Sequence, residues 1–272
     1  MGTAMPQMDQ LKKNMKAAWM AGDFGQIAKF NEAEGTVFVE RVHIQRGSDV
    51  LDVACGTGNL AIPAARLGAN VTGVDIATNL LEQARTRAAK EGLKAEFREG
   101  DAEALAFPDA QFDAVISMFG AMFAPRPELV VSELTRVCKP NGFIAMANWT
   151  PTGFVGKNFG VTARHVPPPP GLEPPVFWGK EDVVTARFAK VGWKTQCTPR
   201  ILHFRFPFGA VEVVKFFREY FGPTKTAFSR LDEAGQEALR VDMEKLWSEN
   251  NEGPVDEMHV QAEYLEVIAR NS

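Results

Sequence analysis

"VLDVACGTGNLAIPAARLGANVTGVDIA", residues 50–77, decides the fold. A short apolar run ends in a glycine pair, Gly56 and Gly58, and a second, β-branched run ends in Asp75. Strand, sharp turn, helix and strand in that order make a nucleotide-binding βαβ unit. Glycines allow the φ values of the turn and let a ligand approach the backbone. Asp75 stands 17 positions after Gly58. A carboxylate at the end of the second strand can accept two hydrogen bonds from a ribose diol, each contributing about 1.5–3 kcal/mol.

Working outward, strand and helix patterns alternate over residues 49–149. Strands are predicted at 49–54, 70–75, 94–101, 112–119 and 143–149. Helices are predicted at 60–67, 79–91 and 127–137, the last with Pro127 near its start and Asn141-Gly142 beyond its end. Units of this length imply a doubly wound, mostly parallel α/β sheet with helices on both faces. The remainder is less regular. HVPPPPGLEPP, residues 165–175, reads as stiff and extended. Residues 180–191 look helical, and 209–250 look helical in two pieces broken near Gly222-Pro223. A last pair of strands is expected around 199–206 and 261–269. This gives an N-terminal helical segment, 1–46, and a main domain, 47–272, with insertions at about 150–180 and 207–258.

Composition bounds the function. The chain has 272 residues, 45% of them hydrophobic, and a formal charge of −4. No basic face is implied, so nucleic acid is not an expected partner. Cys55, Cys138 and Cys197 lie far apart with no CxxC spacing, which argues for a reducing compartment and against a disulfide framework or zinc site. No metal-ligand cluster is visible. No signal-peptide pattern is seen at the N-terminus, and no stretch approaches the roughly 18 apolar residues of a membrane helix. The expected location is cytoplasmic, with a small-molecule acceptor as partner and homo-oligomerisation left open.

Two nucleotides fit the glycine loop. Gly56-Thr57-Gly58-Asn59-Leu60-Ala61 satisfies the G-x-G-x-x-G/A pattern of nicotinamide-dependent oxidoreductases. Asp52 points the other way. A dinucleotide brings a pyrophosphate here, where a carboxylate is unwelcome, whereas the amino group and sulfonium of S-adenosylmethionine are positive. Asp101 adds a carboxylate that could meet an adenine amino group. Neither Tyr220 nor Tyr264 is followed four residues on by the lysine of a Tyr-x-x-x-Lys pair.

With DVACGTG (52–58), VTGVDIA (71–77), GDAEALAFPDAQFDAVIS (100–117) and LTRVCKPNG (134–142) on the page, the chain resembles the class I S-adenosylmethionine-dependent methyltransferases. Its nearest likeness is the small-molecule subgroup that includes the ubiquinone/menaquinone C-methyltransferases. Ala54 and Cys55 stand where many members carry glycine and another small residue, and Asn141 where glycine is commoner. The resemblance implies a Rossmann-like, seven-stranded sheet with a final antiparallel strand and helical insertions. It places Asp52, Ala54, Gly56 and Gly58 around the methionine part of the cofactor. Asp75 would bind the ribose hydroxyls, and Ile76 would pack on the adenine. Asp101 would meet the adenine amino group with the Ala102 backbone beside the ring. Ser117 and Met118 would line the floor near the methyl group. The N-terminal segment would fold over the cofactor as a lid, with Trp19 or Phe30 near it.

The implied reaction is an in-line displacement, in which positioning alone can supply about 7–11 kcal/mol. A base is needed only where the nucleophile must lose a proton, so a catalytic residue need not exist; His165, in the Pro-rich insertion, is the candidate. Trp149, Phe154 and Phe159 are candidate acceptor contacts. The aromatic insertions favour a flat or hydrophobic acceptor. A nicotinamide-dependent oxidoreductase and a non-catalytic S-adenosylmethionine-binding regulator are the alternatives.

Overall fold

The computed structural model describes residues 8–271. Three helices come first: α1 (Met8–Met20), α2 (Phe24–Ala28) and α3 (Glu32–Arg41). Gly22-Asp23 breaks the first from the second, and the Asp23 carboxylate caps α2 by accepting from the Gly25 N–H at 3.1 Å. The alternating core follows: β1 (Asp49–Val53), α4 (Ala61–Arg66), β2 (Asn70–Asp75), α5 (Thr78–Lys90), β3 (Ala95–Glu99), β4 (Phe112–Met118), α6 (Pro127–Val137) and β5 (Cys138–Trp149). Then come α7 (Phe154–His165), α8 (Glu181–Ala189), β6 (Trp193–Phe206), α9 (Ala210–Tyr220), α10 (Gly222–Ser229), α11 (Glu233–Glu249) and β7 (Met258–Asn271).

The seven strands form one sheet in the order β3-β2-β1-β4-β5-β7-β6. β1 to β5 pair in parallel, and β7 enters antiparallel between β5 and β6. Strand order reverses between β1 and β4, which opens the crevice at their carboxyl ends where ligands of open α/β sheets bind. Val50, Leu51, Val53, Val115 and Ile116 are buried because helices cover both faces of a parallel sheet.

Four elements differ from the sequence expectation. β5 begins at Cys138, straight out of α6, and takes in the Asn141-Gly142 pair. The register shift between Phe112↔Cys138 and Ala114↔Phe143 absorbs the turn as a bulge. β6 starts at Trp193, because its polar first half, the edge of the sheet, pairs with the second half of β7 from Leu265 to Asn271. Residues 154–165 are helical despite Gly156 and Gly160, residues that weaken a helix read from sequence alone. Gly156 is required there: a Cβ would stand 2.4 Å from the Thr150 carbonyl oxygen. The 209–250 region folds as three helices, since the Asp232 carboxylate accepts from the Gly235 N–H at 2.8 Å and starts α11 afresh.

Candidate functional site

The loop after β1 turns through three residues of positive φ: Ala54 (57°), Gly56 (52°) and Gly58 (83°). Each has a separate reason. Ala54 passes against the turn after β4 so closely that a Cβ on Gly120 would stand 2.5 Å from the Ala54 carbonyl oxygen. Gly56 has almost nothing where its Cβ would be, only Phe24 at 4.0 Å, so its backbone is open to a ligand. Gly58 faces inward: a Cβ there would meet Ile62 at 3.2 Å and Ala84 at 3.5 Å. Its place is in the packing of the turn against α4 and α5, and it does not line the cavity.

That cavity, about 750 Å³, lies at the carboxyl ends of β1, β2 and β4 under α1. Asp52, Ala54, Gly56, Asp75, Ile76, Asp101, Ala102 and Met118 line it, so eight of the ten residues expected at a cofactor converge. Asp75 accepts from the Gly56 N–H and the Ala77 N–H, both at 2.8 Å, one on each carboxylate oxygen. Asp52 accepts from the Ala61 N–H at 3.0 Å, at the start of α4. Each carboxylate has about four lone-pair sites, so both keep acceptor capacity for a ligand.

Both are buried, and among the described residues neither forms an ion pair. Burial drives the Asp52 pKa up to about 8; the Ala61 N–H opposes the shift and the Asp75 charge adds to it. Burial also raises the Asp75 pKa, against hydrogen bonds from Ala77, Gly56 and Ile76. Sign follows from proton counting. The unfolded chain loses the Asp52 proton near 3.8 and the folded one keeps it until about 8. Between those values the native state binds more protons, so stability falls as pH rises. The ligand-free protein is therefore expected to melt at lower temperature at pH 8 than at pH 5, and Asp52→Asn to flatten that slope. A slope unchanged by the substitution in a calorimetric pH series would contradict a buried, protonated Asp52.

The outer rim is electrostatic. Asp101 lies two residues beyond β3; one carboxylate oxygen accepts from the Glu103 N–H at 2.9 Å and the other from Lys12 of α1 at 2.5 Å. Lys12 also pairs at 2.6 Å with Glu103, whose side chain is fully buried and which Arg126 grips through its backbone N–H and its guanidinium. Lys16 meets Glu99. Trp19 lines the cavity from the same helix, in edge contact with Phe24, Phe123 and Phe221. Phe30 does not reach it, because it packs on Phe206 at 4.3 Å.

Beyond the Met118 end a small aromatic cavity of about 60 Å³ opens, sharing Trp19, Phe24, Asn31, Phe119 and Phe123 with the large one. Trp149, Phe154 and Phe159 line it. Trp149 is a support more than a face. It stacks on Phe119 with ring centres 3.6 Å apart and is only 5% exposed. Phe119 itself holds φ +57°, a strained conformation for a bulky residue beside a site.

Besides Gly58 and Phe30, two more expected residues lie elsewhere. Ser117 is turned into the sheet: its hydroxyl donates to the Val53 carbonyl at 2.7 Å and accepts from the Ala121 N–H at 3.1 Å, tying β4 to β1. His165 ends α7 and bonds Asp242 at 2.9 Å, outside both cavities, so it has no reach to a reacting atom. Cys55 is a buried filler whose thiol is pushed well up by burial. Phe119, Asn31, Asn158 and Trp247 were missed, since nothing local in the sequence separates them from ordinary core positions.

Comparison with known proteins places this geometry in context. Residues 50–142 match the family described as a methyltransferase domain. The Mycobacterium tuberculosis protein Rv1403c is 38% identical over 237 residues, covering 83% of each chain. The phosphatidylethanolamine N-methyltransferase of Cereibacter sphaeroides is 36% identical over 144 residues, 52% of this chain and 69% of that one. Among solved structures, the Bacillus subtilis YcgJ protein superposes with a TM-score of 0.62 at 18% identity, over 88% of this chain and 99% of its own, a likeness of fold.

Proposed function

Since the chain belongs to the class I S-adenosylmethionine-dependent methyltransferases, we propose that its acceptor is a small, flat, hydrophobic molecule that enters beside the aromatic cavity. The observation that carries this reading is that the aromatic cavity adjoins the large one, with Phe119 and Phe123 lining both. Aromatic walls favour an apolar acceptor over a sugar. The quinone C-methyltransferase-like motifs of the sequence support the same reading. A cytoplasmic setting fits as well, and among the described residues no helix is long and apolar enough to cross a membrane.

The residues present fit the cofactor. Among the described residues Asp52 and Asp75 are buried carboxylates without an ion-pair partner, and Gly56 leaves open space in the cradle. S-adenosylmethionine supplies a methyl group activated by a positively charged sulfur. Asp52, protonated in the ligand-free protein, would give up its proton when the positively charged methionine part binds beside it and then counter that charge. Asp75 would accept from the ribose hydroxyls while Gly56 and Ala77 hold it in place. Ile76, Ala102 and Asp101 would frame the adenine. Met118, Phe119 and Phe123 would keep water from the transfer path and align the acceptor. Two readings fare worse. A dinucleotide would set its pyrophosphate against Asp52, and a non-catalytic regulator would not need an acceptor cavity beside the cofactor.

Calorimetric titration tests the cofactor, with S-adenosylmethionine and S-adenosylhomocysteine expected to bind and NADH not. A methyl-transfer screen of aromatic and isoprenoid acceptors tests the rest, and a best acceptor that is small and strongly polar would overturn it.

Of the expected lid, 1–46, residues 1–7 lie outside the described residues; the part from Met8 onward would cover the cofactor, its hinge side clamped by two glycines. A Cβ on Gly222 would stand 1.9 Å from the Ala18 carbonyl oxygen, and one on Gly22 would stand 2.2 Å from that of Tyr220. Backbone contact that close allows no side chain. Gly222→Ala is expected to force α1 away from α10, loosen the Lys12 contacts and weaken S-adenosylmethionine binding about tenfold or more, the scale of one lost charged hydrogen bond. Full affinity in a well-folded Gly222→Ala protein would remove α1 from the site.

A further inference from the structure

Three residues that line the aromatic cavity each carry a buried polar atom with no hydrogen-bond partner among the described residues. The atoms are Asn31 Oδ1, Asn158 Oδ1 and Trp247 Nε1. The three residues are 7%, 6% and 1% exposed. All three residues line the same small space, and none of the described side chains lining it is charged. Buried polar groups in native proteins are nearly always hydrogen-bonded, so an unpaired set calls for a ligand or a bound water. Asn31 also lines the large cavity and stands at the junction, whereas Asn158 and Trp247 lie only in the inner one.

From this cluster we infer that Asn158 and Trp247 bind a neutral hydroxyl group carried by the acceptor, with Asn31 at the mouth. The chemistry is selective. An indole N–H only donates, and it needs a lone pair; an amide oxygen only accepts, and it needs a proton. A hydroxyl meets both at once, donating to Asn158 Oδ1 and accepting from Trp247 Nε1. An ammonium has no lone pair for the indole. A carboxylate has no proton for the amide oxygen, and among the described residues no cation lines the cavity to balance its charge. The space, about 60 Å³, is roughly the share of two waters in the liquid. It holds the hydroxyl and the edge of a ring, and the rest of the ring lies between Phe119 and Phe123, the walls it shares with the large cavity. The hydroxyl is an anchor: the atom that is methylated lies at the other end, toward Met118. The substrate class is a hydroxylated aromatic or similarly flat, neutral molecule. This rests on the methyltransferase reading for the direction in which the acceptor points.

The test uses the full chain saturated with S-adenosylhomocysteine and three matched probes, p-cresol, p-xylene and 4-methylbenzylamine, titrated calorimetrically. The wild type is expected to bind p-cresol at least tenfold more tightly than either other probe. Asn158→Leu should lose that preference while holding p-xylene as before. Trp247→Phe should lose part of it. S-adenosylhomocysteine binding is measured first on every protein and reports folding. Failure of the wild type to bind it overturns the methyltransferase reading. Normal binding with p-cresol no better than p-xylene, with the amine tightest, with no p-cresol bound at all, or with the preference intact in Asn158→Leu and Trp247→Phe overturns the inference alone.

Discussion

Asp75→Ala is expected to raise the dissociation constant of S-adenosylmethionine by at least a hundredfold. The carboxylate does two jobs at once. Its oxygens hold the Gly56 and Ala77 N–H groups, both at 2.8 Å, and its free lone pairs are proposed to take the ribose diol. Two hydrogen bonds to a charged acceptor amount to about 3–6 kcal/mol, which exceeds the roughly 2.7 kcal/mol of a hundredfold change. The substitution also leaves the Gly56 and Ala77 N–H groups without their acceptor, at about 1–3 kcal/mol each where they stay buried. Affinity and melting temperature should therefore fall together. Calorimetric titration and thermal unfolding of the same sample check this. An unchanged dissociation constant would take Asp75 out of the site, whatever happened to stability.

Trp149→Ala is expected to destabilise the fold by about 3–5 kcal/mol, the usual loss for a buried tryptophan cut to alanine. That is a large part of the 5–15 kcal/mol that holds a typical domain together. The indole stacks on Phe119, meets Phe204 at 6.0 Å and Tyr264 at 6.3 Å, and is 5% exposed. Its loss also frees Phe119, the strained residue between the two cavities. Turnover should drop, and the acceptor KM should rise more than the cofactor dissociation constant, because the floor under the acceptor gives way while Asp52 and Asp75 stay in place. Urea denaturation at unchanged slope would show a lower midpoint. A midpoint equal to that of the wild type would mean that Trp149 is not the support for Phe119.

The alternation of strand and helix from residue 49 to 149, the turn glycines and the carboxylates at strand ends were legible in the sequence by itself. Those features are local. A strand needs its own apolar run, a turn needs its own glycine, and the carboxyl ends of parallel strands border the crevice. For that reason Asp52, Ala54, Gly56, Asp75, Ile76, Asp101, Ala102 and Met118 all line one cavity. The N-terminal break at Gly22-Asp23 could be read for the same reason.

Tertiary structure decided the rest. Ser117 and Gly58 belong to the same motifs as their neighbours, yet the pleat turns one into the sheet and the other into a helix contact. His165 is drawn off by Asp242, 77 positions away in the chain. The acceptor end depends on contacts that no periodicity reports: Trp149 against Phe119, and Asn158 and Trp247 gathered round one small space from α7 and α11. Residues of this kind look like core in the sequence, and most of each side chain is core. What distinguishes Asn158 and Trp247 is a single polar atom left without a partner among the described residues, and that is a property of the packed molecule alone.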